Sequence, residues 1–208
     1  MAAARKPRRW NNEGDLDTRR DAIMKSLNIV MRRQKQPGAL RMQDVADHLG
    51  LVKGNLYYYF KNKEDLIYHC HVKCVEVSLE ALARTRASDA TPAEKLHALL
   101  VEHVLALTEG EYSGVLLADM EHMSTARRRH YVKLRDEFEH GVREIITEGI
   151  GSGEFMKQDA RLAGFAILGA INWIPKWYRP EGGLSAREVA VTYADMFLRM
   201  LRNGEKPS

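Results

Sequence analysis

Between Leu40 and Leu66 the chain reads LRMQDVADHLGLVKGNLYYYFKNKEDL, and its chemistry is concentrated in three consecutive tyrosines and the lysine that follows them. A phenol donates a hydrogen bond to a phosphate oxygen without reading base sequence. Lys63 stands at the start of a helix, where its ammonium adds to the positive end of the helix dipole, a combination suited to phosphate. Leu56 and Phe60, four residues apart, share one helix face and anchor the segment to a body. Tyr57 and Tyr59 then project elsewhere, while Tyr58 reads as packing. Gly54 permits close approach of the backbone to a partner.

These residues need two short helices joined by a tight turn. Ala46 is small where crossing helices approach, and Gly50 sits where the chain must turn left-handed to leave the first helix. Leu56 returns to a core shared with Val45 and Leu49. This is the helix-turn-helix pattern, whose second helix enters a DNA major groove.

The rest of the chain reads as helix. Ala22, Ile23, Leu27, Val30 and Met31 recur at helical spacing and predict a helix over 17–34, ended by Pro37-Gly38. Asn62 reads as the N-cap of a long helix reaching Arg86, with Glu64 and Asp65 favourable in its first turn. Thr91-Pro92 opens a helix to about Thr108. A shorter helix is expected over 110–123, and a long charged one from Ser124 that Gly149, Gly151 and Gly153 break. Helices over 158–178 and 185–203 complete the chain, the last opened by a Ser185/Glu188 capping box. The expected fold is all-α with about nine helices. Residues 1–14 read as a disordered basic arm, 15–62 as a helix-turn-helix DNA-binding head, and 63–208 as a helical ligand-binding and dimerisation body.

Charge follows the same division. Residues 1–62 hold 13 Lys/Arg against 6 Asp/Glu, whereas residues 63–208 hold 19 against 22. Such an asymmetry suits one part that meets polyanions and another that does not. Arg5, Lys6, Arg8 and Arg9 supply more than half of the excess, so charge supports DNA binding without deciding it. No apolar run approaches the roughly 18 residues of a membrane span. The basic N-terminus lacks the apolar stretch of a secretory signal, and two cysteines four residues apart make no disulfide framework. A reduced, cytoplasmic protein without membrane association is expected.

Two rival chemistries are weak. His69-Cys70-His71-x-x-Cys74 invites a metal or redox reading, but no second Cys/His cluster supplies further ligands. Two buried cysteines beside solvated histidines are expected instead, with no metal and no cofactor. Asp119, Glu121 and His122 fall on one helix at spacings that do not converge on a point. No catalytic motif accompanies them, so no enzyme is expected. The charged stretch from Arg127 to Glu144 reads as a solvent face.

The run Gly54-Asn55-Leu56-Tyr57-Tyr58-Tyr59-Phe60, followed by Lys63-Glu64-Asp65-Leu66, resembles the G-x-L-Y-x-(Y/H)-F-x-x-K-E-x-L signature of the TetR family of transcriptional regulators. The resemblance covers about 50 residues at the level of motif; beyond them only helix number, length and order match. It implies that Tyr57, Tyr59 and Lys63 contact phosphates. It also implies that Gln43 and Lys53 reach base edges, with Asn55 a further candidate. Two positions depart from the family pattern. Val52 and Arg41 stand where a capping Ser or Thr is common, and loss of such a cap typically costs about 0.5–2 kcal/mol. Arg41 then becomes available to pair with a phosphate.

The same resemblance implies a homodimer formed through the last two helices and, by symmetry, a palindromic operator on double-stranded DNA. The small residues Ala163, Gly164, Ala166, Gly169 and Ala170 permit close helix approach, and Val189, Tyr193, Met196, Phe197 and Met200 recur at spacings of three and four. The segment from Asn172 to Gly183 resembles the W-x-x-x-W-Y-R-P-x-G stretch of family members that repress lipid, steroid-ring and aromatic-acid catabolism, several of which respond to acyl-CoA thioesters. Asn172, Trp173, Lys176, Trp177 and Arg179 are therefore the expected effector residues. Aromatic rings suit an acyl chain, and the two cations suit phosphate. The competing reading is a helix end pinned by tryptophan packing, with Arg179 bonding its last carbonyls. The function implied is an effector-released repressor; the alternative is a helical metal, redox or small-molecule sensor without DNA-binding output.

Overall fold

The computed structural model describes residues 15–33, 40–117 and 123–202. The expected basic arm, and the trio Asp119, Glu121 and His122, lie outside the described residues. Among those described, there are eight α-helices and one 3-10 turn: α1 (Leu16–Arg33), α2 (Met42–Leu49), α3 (Lys53–Tyr59), α4 (Lys63–Arg86), α5 (Pro92–Thr108), the turn Ser113–Leu117, α6 (Thr125–Ser152), α7 (Ala160–Trp177) and α8 (Ala186–Leu201). The all-α expectation holds, one α-helix short of the predicted count.

Where a helix is expected over 110–123, the described residues 110–117 form no α-helix but the 3-10 turn, and residues 118–122 lie outside the described residues. Gly110 and Gly114 weaken helix propagation there, and α1 captures the backbone instead. The Asn28 side-chain oxygen accepts from the Gly114 N–H, and Arg32 donates to the Ser113 hydroxyl. A second difference concerns α6, which continues through Gly149 and Gly151 to Ser152 and ends only at Gly153, where φ is 84°. Gly149 is required by packing rather than by a turn, because a Cβ there would stand 2.2 Å from the Phe155 ring.

The chain forms two compact units, one comprising residues up to Lys73 together with Glu111–Arg128, the other Cys74–Gly110 with Arg129 onward. In the first, Ile23 and Leu27 of α1, Val45 and Ala46 of α2, Leu56 and Phe60 of the α3 segment and Leu66 of α4 form the core, each no more than 1% exposed. Burying a side chain of this size contributes about 1.5–3 kcal/mol relative to leaving it in water. Ala46 and Leu56 therefore do what their spacing predicts.

In the second unit α5 is central, with Leu96, Leu99, Leu100 and Val104 fully buried, and it packs against α8 and α7. The helices here start on well-formed caps. Thr91 and Ser185 each close a capping box with the glutamate three residues on, and the Asp159 carboxylate accepts from the Arg161 and Leu162 N–H groups. The expected stripe on α8 divides. Val189 faces inward with Ala190, Ala194 and Leu198, whereas Met196 and Met200 are exposed. On α7 the small residues divide too: Ala163 and Gly164 are buried, while Ala166 and Gly169 are exposed beside Leu162 and Phe165.

Candidate nucleic-acid interface

The turn between α2 and α3 is built as its sequence predicts. Gly50 takes the left-handed conformation at φ 66°, its N–H donates to the Asp47 carbonyl at 3.1 Å, and the Leu51 N–H donates to Ala46 at 2.9 Å. These two bonds satisfy carbonyls that a helix end leaves open, and buried Leu51 locks the exit. Leu56 is fully buried and Phe60 nearly so. The face opposite Leu56 is thereby presented outward.

The predicted contact residues fall into two groups. Lys53, Gly54 and Tyr57 are exposed, with the Lys53 ammonium 5.7 Å from the Tyr57 ring centre. A Cβ at Gly54 would meet nothing within 4 Å, so no internal contact of the protein requires glycine there. Asn55 and Lys63 are half-buried. Tyr59 behaves differently: it is half-buried against the core, and its hydroxyl accepts from Arg19 at 3.1 Å. Tyr58, read from sequence as packing, is instead 75% exposed, because Leu56 and Phe60 take the inward positions and leave it on the far side of the short helix.

Arg41 and Gln43 are exposed but engaged by carboxylates of their own helix. Arg41 donates through Nη2 to Asp44 Oδ1 at 2.8 Å, and Gln43 donates to Asp47 at 2.6 Å. The Arg41 hydrogen bond and charge hold the Asp44 carboxyl below the usual carboxylate range. Asp44 also accepts the Arg41 backbone N–H at 2.9 Å, forming one half of a capping box. Arginine, having no acceptor, leaves the other half unmade. Val52 likewise offers α3 no side-chain cap.

Asn62 caps α4 as expected, its side-chain oxygen accepting from the Asp65 N–H at 2.8 Å. The residue that sequence reasoning missed is Arg127. Read as part of a solvent face, its guanidinium instead pairs with the buried Asp65 carboxylate and lies 5.0 Å from the Tyr68 ring centre. Further along the same stretch, Tyr131, Phe138 and Val142 are buried, so only part of it faces solvent. Their apolar spacing was a signal that could have marked those three residues, but nothing local to Arg127 marks its partner.

The His-Cys segment also departs from expectation. Both cysteines are buried, but so is His71, at 2% exposure. Burial pushes the Cys74 thiol up to about 12, which keeps it protonated and unreactive. Among the described residues no group of three or more His, Cys, Asp or Glu side chains is placed to hold a metal.

The five expected effector residues lie at the C-terminal end of α7 and just beyond it. Trp173, Lys176, Trp177 and Arg179 are exposed, with Trp177 stacked on Tyr193 at 6.4 Å between ring centres. Arg179 donates to the Tyr178 and Lys176 carbonyls at 2.8 and 3.3 Å, capping α7. Asn172 is exposed as well, but its side chain hydrogen-bonds buried His103, which also meets Ser78 at 2.9 Å and lies 4.5 Å from the Phe138 ring centre. Burial, helped by the Arg135 charge and opposed by Asn172, lowers the His103 pKa to about 4, so the imidazole is neutral near pH 7. No helix among the described residues is long and apolar enough to cross a membrane.

Comparison with known proteins places these features in context. The family model described as "Bacterial regulatory proteins, tetR family" matches residues 33–70, and "Tetracyclin repressor-like, C-terminal domain" matches residues 89–201. The chain is 25% identical over 185 residues to the HTH-type transcriptional repressor KstR2 of Mycolicibacterium smegmatis, covering 87% of this chain and 89% of that one. It is 31% identical to the TetR family transcriptional regulator PfmR from Thermus thermophilus, with a TM-score of 0.76 and coverage of 85% and 97%. The structure of AibR in complex with isovaleryl coenzyme A and operator DNA shares the fold at a TM-score of 0.73 and 23% identity, covering 88% of this chain and 98% of that one.

Proposed function

The chain belongs to the tetR family of bacterial regulatory proteins, and from that premise we propose that it is a homodimeric transcriptional repressor, released from a palindromic operator by an acyl-CoA thioester. The observation that carries the DNA-binding half is the family match over 33–70 on a helix-turn-helix whose anchor residues are buried and whose Lys53, Gly54 and Tyr57 face outward. In this reading residues 15–62 bind DNA and residues 63–208 bind effector and dimerise. Tyr57, Tyr59 and Lys63 meet phosphates. Gln43, Lys53 and Asn55 face bases, and Gly54 allows close approach. For Arg41 to contact a phosphate it must leave Asp44.

The exposed apolar residues of α7 and α8, namely Leu162, Phe165, Met196 and Met200, support the dimer face. The effector half rests on Asn172, Trp173, Lys176, Trp177 and Arg179, and on relatives whose names speak of transcriptional repression and of isovaleryl coenzyme A. Release requires the effector to favour a conformation in which two recognition helices no longer match half-sites about 34–36 Å apart. A tenfold loss of affinity takes about 1.4 kcal/mol of coupling.

The test is a gel shift with DNA from upstream of the protein's own gene, followed by a thermal-shift screen of acyl-CoAs, free acids and steroids. A retarded band that an acyl-CoA abolishes supports both halves. A protein that binds an acyl-CoA yet retards no DNA would support the sensor alternative. Trp177→Ala is expected to abolish release while keeping operator binding; unchanged release would return that tryptophan to packing against Tyr193.

A further inference from the structure

Asp65 is the third residue of α4 and its side chain is only 8% exposed. One carboxylate oxygen accepts the Lys61 N–H at 2.8 Å, while the Asp65 N–H donates to Asn62 at 2.8 Å. The two residues thus knot the three-residue turn between α3 and α4, through which the recognition helix is joined to Lys63. The other oxygen faces Arg127, with His69 at 3.7 Å. His69 is itself in contact with Arg20, at 3.0 Å. A buried carboxylate is held in place only if a cation and hydrogen bonds compensate its lost hydration. Here the cation comes from 62 positions further along the chain and lies beyond the matched residues 33–70.

The segment leading to Arg127 is tied to the same unit. Tyr112 donates to Asp21, Lys25 pairs with Asp21 at 3.0 Å and Glu111 at 2.8 Å, and Asn28 and Arg32 hold Gly114 and Ser113. These four α1 residues form one row at helical spacing, so residues 111–114 are fastened along that row. The arrangement makes the helix-turn-helix unit discontinuous in sequence.

We propose that Arg127 is a positioning residue for DNA binding: through Asp65 it holds the α3–α4 turn, and thereby sets where Lys63 and the tyrosines of α3 present themselves. The inference rests on the assignment of Lys63 to a phosphate. Without Arg127 the buried carboxylate must draw in water or turn outward, and either movement releases the Lys61 N–H and loosens the turn.

The experiment measures operator affinity of the full-length protein, on the upstream duplex, for Arg127→Ala, Arg127→Lys, Asp65→Asn, Lys63→Ala and the double variants. Arg127→Ala should weaken binding by at least about tenfold, with Arg127→Lys restoring most of it. In the Asp65→Asn background, where no buried charge needs a cation, adding Arg127→Ala should change little. In the Lys63→Ala background its effect should likewise shrink, and hydrogen exchange at the Lys61 amide should quicken in Arg127→Ala alone. Wild-type affinity in Arg127→Ala, or losses that multiply independently with Lys63→Ala, would overturn the proposal. If Arg127→Ala fails to fold, the Asp65→Asn/Arg127→Ala double variant decides: recovery of fold and binding supports the latch, and no recovery overturns it. Wild-type binding and salt dependence in Lys63→Ala alone would instead remove the phosphate assignment on which the proposal stands.

Discussion

Two ways of holding helices coexist in this chain. In the second unit α5, α7 and α8 begin on Thr91, Asp159 and Ser185, whose side-chain oxygens accept the first free N–H groups. In the head, α2 and α3 begin on Arg41 and Val52, which offer no such oxygen. Beside its apolar core, the head relies on long-range polar ties: Tyr112 to Asp21, Arg127 to Asp65, Arg19 to Tyr59. Helices of seven and eight residues are marginal by themselves. Their placement therefore depends on neighbours brought by the rest of the chain, and a small change in those neighbours can move the recognition helix without melting it. Under the proposed effector release, the head is the part whose geometry would have to adjust.

The contrast can be broken first at the cores. Leu56→Ala and Ile167→Ala each remove a fully buried side chain, and each should destabilise by about 2–5 kcal/mol. In denaturant melts read by helix content, Leu56→Ala should abolish operator binding and lower the stability of the head while leaving the second unit folded. Loss of both units in a single transition would show that the head has no stability of its own.

A second probe is electrostatic. Lys63→Ala should weaken operator binding and lower the slope of log affinity against log salt by about 0.9 per protomer, or about 1.8 for a dimer that loses one phosphate contact at each half-site. Tyr57→Phe removes a neutral donor, so affinity should fall with the slope unchanged. Equal slopes for wild type and Lys63→Ala would place that lysine away from the DNA.

Acid should separate the two units further. His103 carries a folded-state pKa of about 4 against 6.5 when free, so folding excludes its proton. The stabilisation is fully present above pH 6.5 and is lost as pH falls from there toward 4. The melting temperature of the second unit should fall as pH drops across that window, and His103→Gln should flatten the fall. An unchanged pH profile in that variant would remove His103 as its cause.

The smallest effects belong to the caps. Ser185→Ala should cost about 1 kcal/mol, whereas Val52→Ser should gain a similar amount for α3, because Val52 is 53% exposed and loses little by being replaced. A gain in stability accompanied by weaker operator response to effector would tie the missing cap to adjustability.

What can be read along the chain is whatever depends on neighbours within about four residues. The left-handed Gly50, the Asn62, Thr91 and Ser185 caps, and the anchoring pair Leu56 and Phe60 follow from backbone sterics and helical spacing. Where a residue's role depends on a distant partner, local reading fails or stays open. Neighbours alone make Tyr58 look like packing and Arg127 like a solvent-facing charge; they make Gly149 look like a helix stop, although Phe155 requires it. At 113–117 a 3-10 turn stands where an α-helix is expected, and α1 side chains hold the Gly114 N–H and the Ser113 hydroxyl there.

The sequence by itself determined an all-helical chain with a helix-turn-helix near its start, since periodicity and turn chemistry are local and a seven-residue motif tolerates few alternatives. Only the tertiary structure decided that Asp65 is buried, that Arg127 answers it, that α8's apolar stripe faces two ways, and that Asn172 hydrogen-bonds His103. Those outcomes depend on which helix faces meet, and a buried charge or an outward methionine is a property of the packed whole rather than of any stretch of chain.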